Sequence, residues 1–362
     1  MSSLSDVRHR IRAQVVGRER ELTLLLAAVA AGRDILLEGP PGTSKTTLLK
    51  AITAEWGIPL VFVEGNADLT PAKLVGYHNP ARVLREGYTA DNFVDGPLLE
   101  AMRGGGFLYI EEFNRAPEDT LNTLLTAMAD RRIAVPRVGA VVARDTFRVV
   151  ASMNPYDNIG TTRLSTSVHD RFNRLAITYQ DERSERGIVA LRAPVPDLDR
   201  ALYTRLVADA VALTRATRAH QDIRQGASVR GAIDLTLVAG QLLTMDAERP
   251  DAFHSAVPDR DPVGRDDQDE KYSGSVSPGQ AEAGFAGEAG NAASTPGRDG
   301  ADADSADGDG EKAYRETVYD AMIVAVSGRI FLDETVELTP EQVLRQIWED
   351  HYILNPAAAS PG

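Results

Sequence analysis

The chain has 362 residues, with 39 Lys and Arg against 53 Asp and Glu, and no cysteine. This length predicts about two domains, and the lack of cysteine excludes disulfides, thiolate metal ligands and a thiol nucleophile. No apolar run is long enough to span a membrane, and the N-terminal MSSLSDVRHRIR has no hydrophobic signal core. We therefore expect a soluble cytoplasmic protein.

The net charge of −14 is unevenly distributed. Residues 246–312 carry 17 acidic and 6 basic side chains, a net of −11, which leaves −3 for the rest. This segment is rich in Gly, Ala, Asp, Ser and Pro, so it can bury too little apolar surface to offset its ordering entropy. The sequence predicts a disordered acidic insertion here. It could be an inert solvated loop or a partner-binding tether.

A phosphate-binding loop is predicted where an apolar strand at 35–37 meets a helical apolar pattern through 48–52. This strand–loop–helix context is what separates such a loop from a chance glycine run. Backbone N–H groups would surround a β-phosphate, Lys45 would reach the β- and γ-phosphates, and the Thr46 hydroxyl would bind magnesium. The predicted nucleotide-binding residues of this loop are Gly39, Pro40, Pro41, Gly42, Thr43, Ser44, Lys45, Thr46 and Thr47.

Ser44 departs from the usual loop pattern, which has glycine at this place. Position 44 adjoins the start of the helix, where a small residue can adopt helical backbone angles. We therefore expect the substitution to cost little.

Two hairpins are predicted between the nucleotide motifs. The first, ARVLREGYTADNFVDGP at 81–97, has a Glu-Gly turn between mixed apolar and charged residues, and we expect it to project from the domain. The second, RRIAVPRVGAVVARD at 131–145, has its turn at Gly139. Both could equally be ordinary surface hairpins.

The segment FLYIEEFNRAPED places two carboxylates directly after the apolar run 107–110. Such a run is typical of a central strand of a parallel sheet, and ligands bind at the carboxyl ends of these strands. A nucleoside triphosphate site needs one carboxylate for magnesium and a group that activates water. Glu111 is the predicted metal residue and Glu112 the water-activating residue. Since the usual metal carboxylate is aspartate, the two roles could be shared differently between them.

After Gln180 the apolar pattern is helical at 184–193, 198–217 and 229–243, and again at 317–330 and 339–353. We expect a helical lid domain over 181–245 and 313–355, interrupted by the acidic insertion. The α/β core would span 1–180, and a flexible tail would follow at 356–362.

Several ordered motifs resemble the AAA+ ATPases and, within them, the MoxR family, which belongs to the helix-2-insert branch related to magnesium-chelatase-like ATPases. They are VVGRE at 15–19, GPPGTSKT, IEEFNRAP, TLLTAMADRRI, FRVVASMNP, the DRF at 170–172 and GASVRGAIDLTLVA. The resemblance covers most of the chain outside the insertion. It implies an AAA+ P-loop core with a parallel sheet flanked by helices, and a small all-helical lid.

The resemblance also implies residue roles. Val16 and Gly17 would line the adenine pocket, and Asn154 would be the sensor-1 residue that places the attacking water. Arg171 would be an arginine finger for a neighbouring subunit, with Arg174 in reserve, and Arg230 would be sensor 2. The group of predicted catalytic residues is Glu112, Asn154, Arg171 and Arg230.

By the same resemblance, ATP and Mg²⁺ are the expected ligands, and a ring homo-oligomer, a hexamer, is the expected assembly. The first hairpin would be the helix-2 insert, a loop that touches substrate or partner. The implied activity is ATP-driven, chaperone-like remodelling or cofactor and metal insertion. The implied partners are a von Willebrand factor A domain protein and a client metalloenzyme.

Two other functions stay open. A nucleic-acid motor of the same branch would need a basic stripe, which the near-neutral core disfavours, although the hairpins carry Arg82, Arg85, Arg132 and Arg137. A nucleotide-gated scaffold that does not hydrolyse ATP is supported only by Ser44 and by glutamate at position 111.

Overall fold

The computed structural model describes residues 4–12, 15–155, 164–248 and 302–354. Its helices are α1 Leu4–Arg12, α2 Glu19–Ala30, α3 Lys45–Trp56, α4 Pro71–Val75, α5 Pro80–Glu86, α6 Pro97–Gly104, α7 Glu118–Asp130, α8 Thr166–Arg171, α9 Glu182–Arg192, α10 Arg200–Ala219, α11 Val229–Glu248, α12 Asp302–Val326 and α13 Pro340–Glu349. Its strands are β1 Ile35–Glu38, β2 Leu60–Glu64, β3 Gly76–His78, β4 Phe93–Asp95, β5 Phe107–Glu111, β6 Arg132–Val135, β7 Gly139–Val142, β8 Arg148–Met153, β9 Asn173–Ala176, β10 Ile223–Gln225 and β11 Phe331–Leu332. None of the described helices has the length and apolar content to cross a membrane.

The core of the N-terminal part is a five-stranded sheet in the order β2-β5-β8-β1-β9. Every neighbouring pair is parallel, which confirms the predicted sheet. Because the carboxyl ends of parallel strands share one edge, the loop after β1, Glu111 at the end of β5 and Asn154 after β8 lie side by side.

Helices cover both faces of this sheet, so β5 is buried on both sides. Phe107 and Tyr109 pack on the face covered by α1, α2 and α3, and Leu108 and Ile110 pack on the face covered by α6 and α7. Successive strand residues point to opposite faces. This double burial accounts for the uninterrupted apolar run that the sequence shows at 107–110.

The C-terminal part is the predicted helical lid, with α9 to α13 packed around a second apolar core. The side chain of Asp199 caps α10, and Thr339 with Gln342 forms a capping box at α13. The helical lid is confirmed, and it also contains a short antiparallel pair, β10 with β11. The pair forms because the turns after α10 and α12 extend side by side and satisfy their backbone groups through each other.

Helices extend into both ends of the acidic insertion predicted at 246–312. α11 continues to Glu248 and α12 begins at Asp302. Residues 249–301 and the predicted tail at 356–362 lie outside the described residues.

The first predicted hairpin is built differently from the expectation. Short strands β3 and β4 pair antiparallel, but α5 and a 3₁₀ turn at Ala90–Asn92 lie between them. Asn79 caps α5 through its side chain, and Pro80 begins the helix, which is a start signal that the hairpin interpretation overlooked. We refer to residues 76–95 as the insert module. The second hairpin is confirmed as β6 paired with β7.

Candidate nucleotide site

The phosphate-binding loop connects β1 to α3 at the carboxyl edge of the sheet, and its backbone angles correct one prediction. Ser44 lies just before α3 in the left-handed region, with φ 65° and ψ 22°, and its hydroxyl makes no capping hydrogen bond. These are not the ordinary helical angles that the sequence predicts for this position. The loop has to turn sharply to aim its amides inward, so its geometry imposes a conformation that costs an L-residue about 1–2 kcal/mol.

Lys45, the first residue of α3, folds back over the loop. Its Nζ donates hydrogen bonds to the Gly39 carbonyl at 2.7 Å and to the Pro40 carbonyl at 2.8 Å. Burial lowers the pKa of Lys45 to about 8, while the nearby Glu111 carboxylate opposes that shift. A bound phosphate would supply the anionic partner that this partly desolvated cation lacks.

The next residue, Thr46, begins a chain of hydroxyl groups that reaches across the sheet. Thr46 Oγ1 donates to Glu111 Oε1 at 2.8 Å and lies 3.0 Å from the Tyr109 hydroxyl. The Tyr109 hydroxyl lies in turn 3.0 Å from Ser152 Oγ. Burial raises the pKa of Tyr109, so this phenol stays a neutral hydrogen-bonding group. The contacts bring together the two residues predicted to serve magnesium.

Glu112 follows in a left-handed conformation with φ 52°. Its Oε2 lies 3.0 Å from Nε of Arg115, three residues on. The turn after β5 therefore directs the two carboxylates differently, Glu111 toward Thr46 and Glu112 toward a cation. In this geometry one carboxylate oxygen of Glu112 is held by Arg115.

Two adjoining cavities occupy the edge of the sheet. The phosphate-side cavity, of about 150 Å³, is lined by Pro41, Gly42, Thr43, Ser44, Lys45, Thr46, Thr47, Glu111, Glu112, Ser152, Met153, Asn154 and Arg230. The base-side cavity, of about 470 Å³, is lined by Val15, Val16, Gly42, Ser44, Thr47, Gln180, Ile188, Leu191, Arg192, Val229, Arg230 and Ile233. Core and lid both contribute to the second cavity. It is larger and has more apolar side chains in its lining, as a base and sugar require.

Most of the predicted site residues line these cavities, but several do not. Gly39 and Pro40 act through their carbonyl groups, which hold Lys45. Gly17 packs against the lid, where an added Cβ would lie 2.3 Å from Ser184 Oγ. Arg171 is exposed at the end of α8 and donates to the Ser167 carbonyl at 2.9 Å. Arg174 forms an ion pair with Glu38, which disfavours it as the reserve finger.

Some residues of the site carried no signal in the sequence. Gln180 and Arg192 line the base-side cavity, yet neither belongs to a motif found in the sequence. Arg18 is 2% exposed and donates to the Thr178 carbonyl at 2.6 Å. Only its position within VVGRE, just before α2, could have drawn attention to it.

The described residues contain no cluster of three or more side chains of the His, Cys, Asp or Glu type that could hold a metal alone. The pair of Thr46 and Glu111 offers a hydroxyl and a carboxylate 2.8 Å apart. This fits Mg²⁺, which binds through one or two protein oxygens with water and substrate phosphates.

Comparisons with known proteins identify the family of this chain. The family profile described as AAA domain (dynein-related subfamily) matches residues 34–172. An uncharacterized protein of Staphylococcus epidermidis is 29% identical over 57% of this chain and 78% of its own. Protein NorQ of Paracoccus denitrificans is 32% identical over 63% of this chain and 86% of its own. The chain belongs to the MoxR-type AAA+ ATPases.

Solved structures are similar at lower identity. A Cytophaga hutchinsonii ATPase candidate is 18% identical with a TM-score of 0.43, covering 96% of this chain and 94% of its own. The Holliday junction branch migration motor RuvB of Thermotoga maritima is 19% identical with a TM-score of 0.40, covering 68% of this chain and 64% of its own. The MoxR-type assignment therefore depends on the relationship to NorQ and on the motifs of the cavity.

Proposed function

We propose that this MoxR-type protein hydrolyses ATP with magnesium at the phosphate-side cavity. The observation that carries the proposal is the hydrogen bond of 2.8 Å between Thr46 and Glu111. Thr46 and Glu111, the proposed magnesium pair, line one cavity with Lys45, Glu112, Asn154 and Arg230. Phosphoryl transfer needs this combination of a cation, a metal position and a water-activating group.

The residues divide the chemistry among them. The loop amides and Lys45 would bind the β- and γ-phosphates, and Thr46 and Glu111 would hold Mg²⁺, which neutralises charge on the phosphate oxygens when bound. The Glu112 carboxylate would take a proton from the attacking water, which the Asn154 amide would orient. Arg230 would stabilise negative charge on the γ-phosphate from the lid side.

A second subunit would complete the site. Arg171 lies outside both cavities at an exposed helix end, so its proposed place is at the nucleotide of a neighbour in a ring, expected to be a hexamer. An arginine supplied across a subunit boundary raises hydrolysis by about 10³–10⁵ in other nucleotide hydrolases.

The proposed use of this energy is chaperone-like remodelling of a partner enzyme, including cofactor or metal insertion, together with a von Willebrand factor A domain protein. The insert module supports a partner role because Tyr77, Leu84, Tyr88 and Val94 are exposed apolar side chains on it. Two of the arginines that could meet nucleic acid are already engaged, since Arg82 pairs with Glu86 and Arg137 stacks over Tyr88.

The test is ATP turnover per subunit as a function of protein concentration, for the unmodified protein, Glu112→Gln and Arg171→Ala. We expect turnover to climb with concentration in the unmodified protein and to be lost in both variants. Arg345→Ala is the matched control, because Arg345 is another exposed helical arginine, paired with Glu349, and should keep full turnover. If the unmodified protein binds ATP but its turnover never exceeds that of Glu112→Gln, the result would favour the non-hydrolysing scaffold.

A further inference from the structure

A buried ionic cluster lies between the core and the lid, beside the nucleotide site but outside both cavities. Glu185 on α9 is 1% exposed. Its carboxylate oxygens lie 3.0 Å from Arg215 Nη1 and 2.7 Å from Arg218 Nη1 on α10. Arg218 also lies over the Tyr179 ring, with its Cζ 3.9 Å from the ring centroid. Burying a carboxylate costs free energy, so the groups that Glu185 contacts show which parts of the chain the cluster holds together.

On the lid side the cluster holds the loop that precedes α11. Arg218 Nε donates to the Ala227 carbonyl at 2.6 Å, and the Ala227 N–H donates to Thr217 Oγ1 at 3.0 Å. Both backbone groups of Ala227 are therefore attached to the end of α10. This loop leads within three residues to Arg230, so the position of Ala227 determines where Arg230 enters the site.

The same loop packs directly on the phosphate-binding loop. A Cβ added to Gly42 would lie 2.4 Å from Ser228 Oγ and 3.8 Å from Cγ of Arg230. The contact leaves no room for a side chain at position 42. A small displacement of residues 226–228 would therefore move Arg230 relative to the phosphates.

On the core side the cluster reaches the base-side cavity. Arg215 Nη1 donates to the Gln180 carbonyl at 3.1 Å, and Gln180 Nε2 donates to the Val16 carbonyl at 3.2 Å. Val16 and Gln180 both line the base-side cavity. A continuous path of hydrogen bonds thus runs from Val16 through Gln180, Arg215, Glu185 and Arg218 to Ala227.

We propose that Glu185 is a positioning residue that couples occupancy of the base-side cavity to the placement of Arg230 at the phosphates. Glu185 holds Arg215 and Arg218 together, so a change at Val16 and Gln180 reaches the Ala227 loop through one rigid ion cluster. The inference rests on the proposed function, because it gives Arg230 its role at the γ-phosphate. Glu185 and the two arginines themselves line neither cavity.

The test is a double-mutant cycle in binding, measured with ADP and with a non-hydrolysable ATP analogue on the full chain. Arg230→Ala should lower the preference for the ATP analogue over ADP by about tenfold, within the range of coupling between sites. Glu185→Gln should lower it by a similar factor. The double variant should be no worse than Arg230→Ala alone, since Glu185 acts through Arg230.

Two further variants keep the test decisive. Asp209→Asn is the control, because Asp209 is also a buried lid carboxylate on α10, bonded to Tyr314 and Tyr352 and unconnected to Ala227. It should lower lid stability while leaving the nucleotide preference unchanged. If Glu185→Gln fails to fold, Arg218→Lys takes its place, as it keeps the charge and loses the contact geometry at Ala227.

Three outcomes would overturn the inference. The first is a double variant whose loss of preference for the ATP analogue is the product of the losses in Glu185→Gln and Arg230→Ala. The others are an equal loss of preference in Asp209→Asn and an unchanged preference in Arg230→Ala. Because the readout is binding, it is independent of turnover. A protein that passes this cycle but hydrolyses no ATP would contradict the proposed function alone.

Discussion

Ser44 shows how one residue can carry a conformational cost that no contact offsets. It sits at φ 65° without a capping hydrogen bond. Ser44→Gly should therefore raise the free energy of unfolding by about 1 kcal/mol, which is the relief of left-handed strain less the added freedom of the unfolded chain. Equilibrium denaturation in urea would measure it.

Ser165 provides the matched control for that change. It also precedes a helix without a capping hydrogen bond, but its φ is −68°. Ser165→Gly should leave stability unchanged or lower it slightly, since no strain is relieved there. If the free energy of unfolding rises equally in Ser44→Gly and Ser165→Gly, backbone strain at Ser44 is not the cause of the rise.

Lys45 makes nucleotide affinity depend on pH in a defined direction. Burial lowers its pKa to about 8, and bound phosphates favour its charged form. Below pH 8 the lysine is already charged, so its contribution to binding is constant. Above pH 8 binding has to take up a proton, and the Kd for ADP should rise by about tenfold per pH unit.

Calorimetry at pH 9 in two buffers of different ionisation enthalpy would detect this uptake, about one proton per nucleotide. Lys45→Arg is the control, because its guanidinium stays charged over this range and removes the pH dependence. A Kd that rises equally in Lys45→Arg would assign the effect to another group.

At the scale of elements, the insert module has an apolar side chain that is exposed to solvent, next to a helix whose leucine is buried. Leu84 on α5 is 89% exposed, whereas Leu74 on neighbouring α4 is fully buried. Leu84→Ser should change the free energy of unfolding by less than about 0.5 kcal/mol. Leu74→Ser should lower it by about 3 kcal/mol or more, through a cavity and a buried hydroxyl.

Thermal and urea unfolding of the two variants would compare these costs directly. Unstimulated ATP turnover should stay normal in Leu84→Ser, because no residue of the insert module lines either cavity. A destabilisation as large as that of Leu74→Ser would show that Leu84 is covered in the working protein, by another subunit or by a partner.

At the scale of the whole molecule, the lid is one helical core into which a long segment is inserted. Gly231 near the start of α11 lies close to Val326 at the end of α12, with 3.7 Å from an added Cβ to Val326 Cγ2. The two packed helices are therefore antiparallel, and residues 248 and 302 lie at the same end. A linker of about ten residues, reaching about 33 Å, can join them.

Replacing residues 249–301 with such a linker should preserve the fold and ATP turnover. If those residues are the flexible loop that their sequence predicts, shortening the closure from about 53 to about 10 residues stabilises the lid by about 1.5 kcal/mol. Urea denaturation and turnover of the shortened chain would test this. Loss of turnover with intact folding would identify the segment as a functional tether instead of an inert loop.

The sequence by itself determined the parallel sheet, the helical lid and the phosphate loop, since these follow from local periodicity and from chemistry at adjacent positions. The apolar run 107–110 predicted a central strand, because both faces of such a strand are buried. Tertiary structure alone decided the angle of Ser44, the pairing of β10 with β11 and the path from Val16 through Glu185 to Ala227. The angle of Ser44 follows from a loop geometry that no local propensity encodes. The strand pair and the path depend on contacts between residues distant in the chain, and such hydrogen-bond partners are determined only when the chain packs.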